Sequence, residues 1–261
     1  MVAKPNRDTA VTGPSQGSPR PDERPRYLRQ DDMEHRHLHT HLDAIRLRLI
    51  EMAAQVESMI ATATRALIER DDALVERVIE QDSDVDRMEV EIDDDCHSVL
   101  ARNQPTAIDM RFLVAVMKIT ADLERMADSA VNIAQAAGQL NREPPLKPYV
   151  DLPRISTRVQ AMVRESLDAF VSRDTALATS VVKEDDEVDQ LYRRLFAELV
   201  ELMRHDNTSV PRALHLLLVA RNFERIADHA TNIAEDVIYY VEGRDIRHAG
   251  GKAGAKAPAS G

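Results

Sequence analysis

An internal repeat constrains the fold of this chain more than any other feature of its sequence. The segment DLERMADSAVNIA at residues 122–134 returns as NFERIADHATNIA at residues 222–234, with eight positions identical in register. Upstream, RDDALVERVIEQDSDVD at 70–86 aligns with RDTALATSVVKEDDEVD at 173–189. A repeating unit of about 100 residues has the usual size of a domain. The sequence therefore predicts two copies of one folding unit in tandem.

Glycine and proline are rare inside the repeated region, which predicts long uninterrupted helices. Between residues 18 and 249 the only glycines are Gly138 and Gly243, and the prolines fall in a few short stretches. Aromatic residues make up only 3% of the chain, which argues against a strand-rich fold. Gly and Pro are typical of helix ends, so the segments between them read as helices. The predicted helices span about 38–69, 72–102 and 107–140 in the first unit and 153–172, 175–205 and 210–242 in the second.

These segments predict an all-α fold of two tandem antiparallel three-helix bundles related by the internal repeat, because short loops join antiparallel neighbours. The bundles are expected at residues 34–142 and 154–247, and a proline-rich linker at 143–153 joins them. Residues 1–33 are rich in proline and residues 248–261 in glycine and alanine, so both are predicted to be disordered tails.

Composition excludes several classes of protein. A single cysteine rules out a disulfide framework, and nothing else favours an oxidising compartment. A net charge of −11 with few aromatics is unsuited to nucleic-acid binding. No charge-free apolar stretch approaches the roughly 20 residues of a membrane span, and Met1–Gln30 lacks the apolar core of a secretory signal. We therefore predict a cytoplasmic protein without a nucleic-acid partner.

Carboxylates recur as i,i+4 pairs at equivalent positions of the two units. Such pairs also arise by chance in an acidic chain, so the repetition is what makes them a signal. Residues equidistant from the turn of an antiparallel hairpin lie level, and within each unit the two pairs are equidistant from the loop between the second and third helices. We therefore predict two four-carboxylate metal sites: Asp82, Asp86, Glu124 and Asp128; and Asp185, Asp189, Glu224 and Asp228.

Four converging carboxylates need a compensating positive charge. All-oxygen sites suit hard or borderline cations, and the predicted cofactor is a divalent or trivalent ion such as iron, zinc, manganese or magnesium. Arg125 and Arg225 are candidates for part of the compensation, and Asn132 and Asn232 continue the carboxylate face as candidate supporting groups. The alternative interpretation is a solvated acidic face with scattered ion pairs.

Four kinds of segment carry a family resemblance. They are ERMADSAVNIA at 124–134, ERIADHATNIAEDVIYYVEG at 224–243, QPTAIDMR at 104–111, and the segments that hold Asp82/Asp86 and Asp185/Asp189. Through them the sequence resembles the PhoU family, the bacterial regulators of phosphate uptake and phosphate signalling. The resemblance extends from about Leu38 to Arg247. The family pattern often has glycine where this chain has Ala127 and Ala227.

The resemblance implies two three-helix bundles whose repeated acidic motifs bind metal clusters. It also implies a homodimer that represses the phosphate-starvation response. Its implied partners are the ATPase subunit of the phosphate ABC transporter and the membrane sensor histidine kinase. We accordingly expect a regulatory adaptor that is not an enzyme and that has no membrane span of its own.

Two other functions remain open from the residues alone. A di-metal carboxylate enzyme or iron-storing bundle is expected to carry Glu-x-x-His pairs, whereas the repeated motif here is Glu-x-x-x-Asp. A purely structural acidic scaffold would need no metal at all. The sequence contains no Walker-type GxxxxGK motif, which argues against an ATPase.

A histidine cluster, HRHLHTH at 35–41, lies outside the repeated motifs. On a helix, His37 and His41 share a face at i,i+4 spacing. The pattern is compatible with a zinc or nickel site and with a polar helix start.

Overall fold

The computed structural model describes the backbone of residues 26–246 and the side chains of residues 37–246. This part of the chain contains no strand, and none of its helices is both long and apolar enough to cross a membrane. The predicted all-α fold of two tandem three-helix bundles is confirmed. The helices are α1 (Arg26–Glu69), α2 (Asp72–Arg102), α3 (Ala107–Leu140), α4 (Asp151–Ser172), α5 (Thr175–His205) and α6 (Val210–Glu242), with a 3₁₀ turn at Asn207–Ser209 before α6.

The same tight turn joins the first two helices of each bundle. Arg70 and Arg173 occupy equivalent positions and adopt left-handed backbone angles, with φ of 57° and 58°. Asp71 and Asp174 follow them, and their carboxylates accept hydrogen bonds from backbone N–H groups in the first turn of the next helix. Each Arg-Asp pair thus ends one helix and caps the next without glycine.

Side-chain contacts hold these arginines in an unfavourable backbone conformation. Arg70 donates hydrogen bonds to the carbonyls of Leu140 and Asn141, at 3.0 and 2.8 Å, where α3 ends. The Arg173 guanidinium lies over the ring of Tyr240, 5.5 Å from its centroid, near the end of α6. The turn of each bundle is therefore anchored to its third helix.

Two predicted boundaries differ from the structure. Helix α4 begins at Asp151, inside the predicted linker, because Pro153 falls in the first helical turn, where a missing N–H costs no hydrogen bond. Helix α1 begins at Arg26, inside the segment 1–33 that the sequence predicts as a tail. Pro25 is the last helix breaker before α1, and nothing after it interrupts the helix. The remaining tail residues, 1–25 and 248–261, lie outside the described part of the chain.

The two bundles pack against each other through their third helices. Ion pairs and hydrogen bonds link Lys118 to Asp236 and Asp122 to Asn232, which shows that α3 and α6 run antiparallel. Buried apolar side chains from all six helices form one continuous core. The repeat therefore produces one packed body whose two central helices are shared between the halves.

One end of this α3–α6 interface is fastened by buried polar groups. Lys118 Nζ lies 2.8 Å from Asp236 Oδ1, and His229 Nδ1 lies 2.8 Å from Asp122 Oδ1. The two carboxylates are 4% and 6% exposed, so each is largely removed from water. Close by, the rings of Phe112, Phe170 and Tyr240 pack together with centroids 5.8–5.9 Å apart. The two phenylalanine rings are stacked, and the Tyr240 ring is tilted against both.

The opposite end of the interface lacks these charges. The repeat places Leu218 and Ala136 where the first end has Lys118 and Asp236. A cleft of about 270 Å³ opens there, and its lining is mostly amides, with His215 and Leu218. The two ends of one pseudosymmetric interface are therefore closed by different means.

We predict that Lys118→Leu destabilises the protein, because it removes the lysine that faces the buried carboxylate of Asp236. The expected loss is about 1–3 kcal/mol in the free energy of unfolding, moderated because Lys118 is partly exposed. The double variant Lys118→Leu/Asp236→Ala copies the residues of the opposite end and should return to within about 1 kcal/mol of the wild type. Urea titrations of the three proteins test this, and equal losses in the single and double variants would contradict it.

Candidate metal centres

The predicted carboxylates lie along the edges where the second and third helices of each bundle meet. Val78, Val85 and Ile92 point from α2 into the core, and Asp82 and Asp86 flank this buried stripe. In α5, Val181, Val188 and Leu195 are buried in the same way. The apolar stripe fixes the rotation of each helix, so the carboxylates are held at the rim of the core.

The first cluster combines burial with mutual repulsion. Partial burial raises the pKa of Asp82, and the charges of Asp86 and Asp128 raise it further. Burial also raises the pKa of Glu124, with contributions from Asp128 and from Glu89. All four predicted residues of this bundle therefore lie within electrostatic reach of one another. None of them takes part in a salt bridge of the described structure.

The second cluster shows the same effect more strongly at one residue. Burial raises the pKa of Asp185 to about 6, assisted by the charges of Asp228 and Asp189. Burial also raises the pKa of Glu224, which is 9% exposed, and Asp228 adds to this. Pairwise electrostatic interactions thus connect the four predicted residues of the second bundle.

Sequence reasoning missed two acidic residues of the first cluster. Burial and the charges of Asp93 and Asp86 raise the pKa of Glu89, so both Glu89 and Asp93 extend the acidic edge. Their equivalents in the second bundle are Tyr192 and Phe196, so the repeat gave no signal for them. The only signal for them in the sequence was their i+3 and i+7 spacing from Asp86, which places them on the same helix face.

Two arginines that the sequence analysis did not single out partly neutralise the second cluster. Arg221 forms an ion pair with Glu224, and Arg193 forms one with Asp189. The equivalent positions in the first bundle are Ala121 and Val90, which carry no charge. The first cluster is therefore more acidic than the second.

The predicted supporting residues do not all lie where the sequence suggested. Asn232 donates to Asp122 of the other bundle at 3.3 Å, and Asn132 lines the cleft between α3 and α6. Both face the opposite bundle, because positions 132 and 232 lie on the side of their helices that packs there. Neither amide makes a hydrogen bond to a predicted carboxylate in the described structure, so their supporting role stays a prediction.

Arg125 and Arg225 are exposed and make no ion pair with the clusters in the described structure. Their charges act at longer range and offset part of the rise in the pKa of Glu124 and of Asp228, respectively. They thus contribute only a fraction of the positive charge that the clusters require.

The donor set of each cluster fits a hard cation. One carboxylate oxygen at each edge is buried without a hydrogen-bond partner, Asp93 Oδ1 in the first and Glu224 Oε2 in the second. Buried polar atoms of this kind are rare unless a water or an ion satisfies them. Within the described residues, no group of three or more His, Cys, Asp or Glu side chains converges closely enough to hold a metal as it stands. Coordination would require carboxylate side chains to turn toward one another.

Comparison with known proteins identifies the fold and the repeat. The PhoU domain model matches this chain twice, at residues 49–137 and 152–237. The phosphate-specific transport system accessory protein PhoU homolog of Pseudomonas aeruginosa is 40% identical over 227 residues, which cover 85% of this chain and 94% of that protein.

Two solved structures superpose on most of the chain. The crystal structure of PhoU from Pseudomonas aeruginosa gives a TM-score of 0.77 at 40% identity, covering 79% of this chain and 99% of that one. The phosphate transport system regulatory protein PhoU from Streptococcus pneumoniae gives 0.75 at 27% identity, covering 80% and 98%. With two matching domains and close relatives over most of its length, the chain belongs to the PhoU family.

Proposed function

We propose that this protein is a cytoplasmic regulator of phosphate uptake that negatively controls the phosphate-starvation response. It acts as an adaptor between the ATPase subunit of the phosphate ABC transporter and the sensor histidine kinase, and it works as a homodimer. Its relatives are named as accessory or regulatory proteins of phosphate transport, which supports a regulatory and non-catalytic role.

The observation that carries the metal-dependent part of this proposal is the pair of incompletely neutralised acidic edges. Metal ions bound there by the eight predicted carboxylates would link α2 to α3 and α5 to α6. Each ion would replace repulsion by attraction and would stabilise the surface on which a partner docks. Acids at the rim of a bundle suit this role better than the interior ligand set of a di-metal enzyme.

The proposal is tested by capture of the transporter ATPase subunit on immobilised protein, with and without Mn²⁺. Metal-loaded wild type should capture more of the subunit than the chelator-treated protein does. Asp82→Asn/Asp86→Asn should lose the metal-dependent part of the capture. The control is Glu76→Gln/Glu80→Gln, which removes an exposed i,i+4 acidic pair from the same helix with the same change in charge.

Equal capture by metal-loaded and stripped protein would overturn metal gating and favour an acidic scaffold. Iron-dependent oxygen consumption by the purified protein would instead favour the di-metal enzyme. A phosphatase reporter in a deletion strain then tests negative regulation, since the wild-type gene should restore repression in high phosphate.

We predict that the two clusters differ in metal affinity because Arg221 competes for Glu224. In an Asp82→Asn/Asp86→Asn background, Arg221→Ala should tighten Mn²⁺ binding at the second cluster roughly fivefold, the equivalent of about 1 kcal/mol. Conversely, Ala121→Arg should weaken the first cluster in an Asp185→Asn/Asp189→Asn background. Isothermal titration calorimetry measures both effects.

The matched control for this comparison is Arg204→Ala, which breaks an ion pair with Glu201 at the same i,i+3 spacing on α5. It should leave Mn²⁺ affinity unchanged. If Arg221→Ala and Arg204→Ala have the same effect on Mn²⁺ affinity, the ion pair between Arg221 and Glu224 does not weaken metal binding.

The raised pKa of Asp185 predicts a stability change that reverses with metal. Its pKa is about 6 in the folded protein against an ordinary value of 3.8. Only the folded state takes up a proton between these values, so the metal-free protein should gain stability as the pH falls from 7 toward 5. Asp185→Asn removes the charged carboxylate and should stabilise the metal-free protein at pH 7 by about 1–2 kcal/mol.

With saturating Mn²⁺ the wild type should be more stable than Asp185→Asn, because the wild type alone keeps the full ligand set. The unfolding temperatures of the two proteins, measured in chelator and in Mn²⁺, test both comparisons. Asp168→Asn, at an exposed carboxylate on α4, serves as control and should leave the unfolding temperature unchanged under both conditions. If Asp185→Asn destabilised the protein in chelator, the repulsion between Asp185 and the neighbouring carboxylates Asp189 and Asp228 would be contradicted.

A further inference from the structure

Two imidazole rings stack on α1, away from both acidic clusters. His37 and His41 are one helical turn apart, and their ring centroids lie 5.8 Å apart with an interplanar angle of 27°. Both residues are exposed, so their ring nitrogens are accessible to solvent. The regulatory function proposed above makes no use of this pair.

The pair lies where α1 passes beyond the end of its neighbour. His41 lines a cleft of about 330 Å³ between α1 and α2, together with Arg102 and Asn103, where α2 ends. Helix α1 continues to Arg26, so its first residues have no counterpart in α2. A link across one turn at this point would act on the helix where it leaves the bundle.

The charges around the cleft are largely compensated. Arg48 is paired with Asp95 at 2.7 Å and lies 3.9 Å from Glu91. Arg102 makes no ion pair in the described structure, so its positive charge would repel a cation bound in the cleft.

The chemistry of two imidazoles differs from that of the acidic edges. Histidines at i,i+4 on a helix direct two ring nitrogens toward the same point, and imidazole suits copper, nickel and zinc. Carboxylate oxygens suit harder ions such as magnesium and manganese. The two kinds of site therefore select different metals.

We propose that His37 and His41 form a two-nitrogen site for a late divalent transition metal, Cu²⁺, Ni²⁺ or Zn²⁺. Water or another ligand fills the remaining coordination positions, since the described residues add no third His, Cys, Asp or Glu. The ion bridges one turn of α1 and stabilises the helix at the end of the bundle. This site is independent of the acidic clusters and of the regulatory function proposed above.

Electron paramagnetic resonance of Cu²⁺ added to the untagged protein tests this site, because nitrogen ligands give a superhyperfine splitting that carboxylates do not. One equivalent of Cu²⁺ on the wild type should show this splitting. His37→Ala/His41→Ala should lose it and should raise the Cu²⁺ dissociation constant at least about tenfold. His97→Ala, at an exposed histidine on α2, should keep the wild-type signal.

A variant with Asp82, Asp86, Asp185 and Asp189 changed to Asn should retain the nitrogen signal, which separates this site from the clusters. Zn²⁺ should also slow amide hydrogen exchange around residues 37–45 in the wild type and not in the double histidine variant. An oxygen-only spectrum in the wild type, or an unchanged spectrum in the double variant, would overturn the proposal.

Discussion

The packing of α3 against α6 is the constraint on which the rest of the structure depends. Each of these helices packs against its own bundle on one face and against the other bundle on a second face. Lys118 and Asp122 face α6, whereas Glu124 and Asp128 lie on the side of α3 that faces α2. Any rotation of α3 that improved one contact would damage the other, so a single packing arrangement fixes both the joint between the bundles and the positions of the carboxylates.

Duplication gave the two halves the same frame without making them equivalent. The buried stripes, the Arg-Asp turns and the paired carboxylates recur at matching positions. The residues around the carboxylates have diverged, since Glu89 is matched by Tyr192 and Ala121 by Arg221. One edge thus carries additional negative charge, and the other carries ion pairs that reduce it.

The sequence predicted the helices well because the physical signals are local. Scarce glycine and proline mark the helix ends without reference to distant contacts. The eight carboxylates were predicted as two groups because the same register applies within each hairpin. Contacts between the bundles were not predictable in this way, since Asn232 and Asp122 meet across 110 positions of sequence. Glu89 was missed because a search for repeated residues passes over a residue that occurs in one copy only.

The unequal ends of the α3–α6 interface have a mechanical consequence. At one end, buried charge pairs and a cluster of three aromatic rings hold the halves together, whereas at the other end amide side chains border an open cleft. Separation at the first end would break buried electrostatic contacts, whereas no residue that lines the cleft forms an ion pair in the described structure. The interface between the halves therefore resists separation more strongly beside Lys118 and Asp236 than beside the cleft.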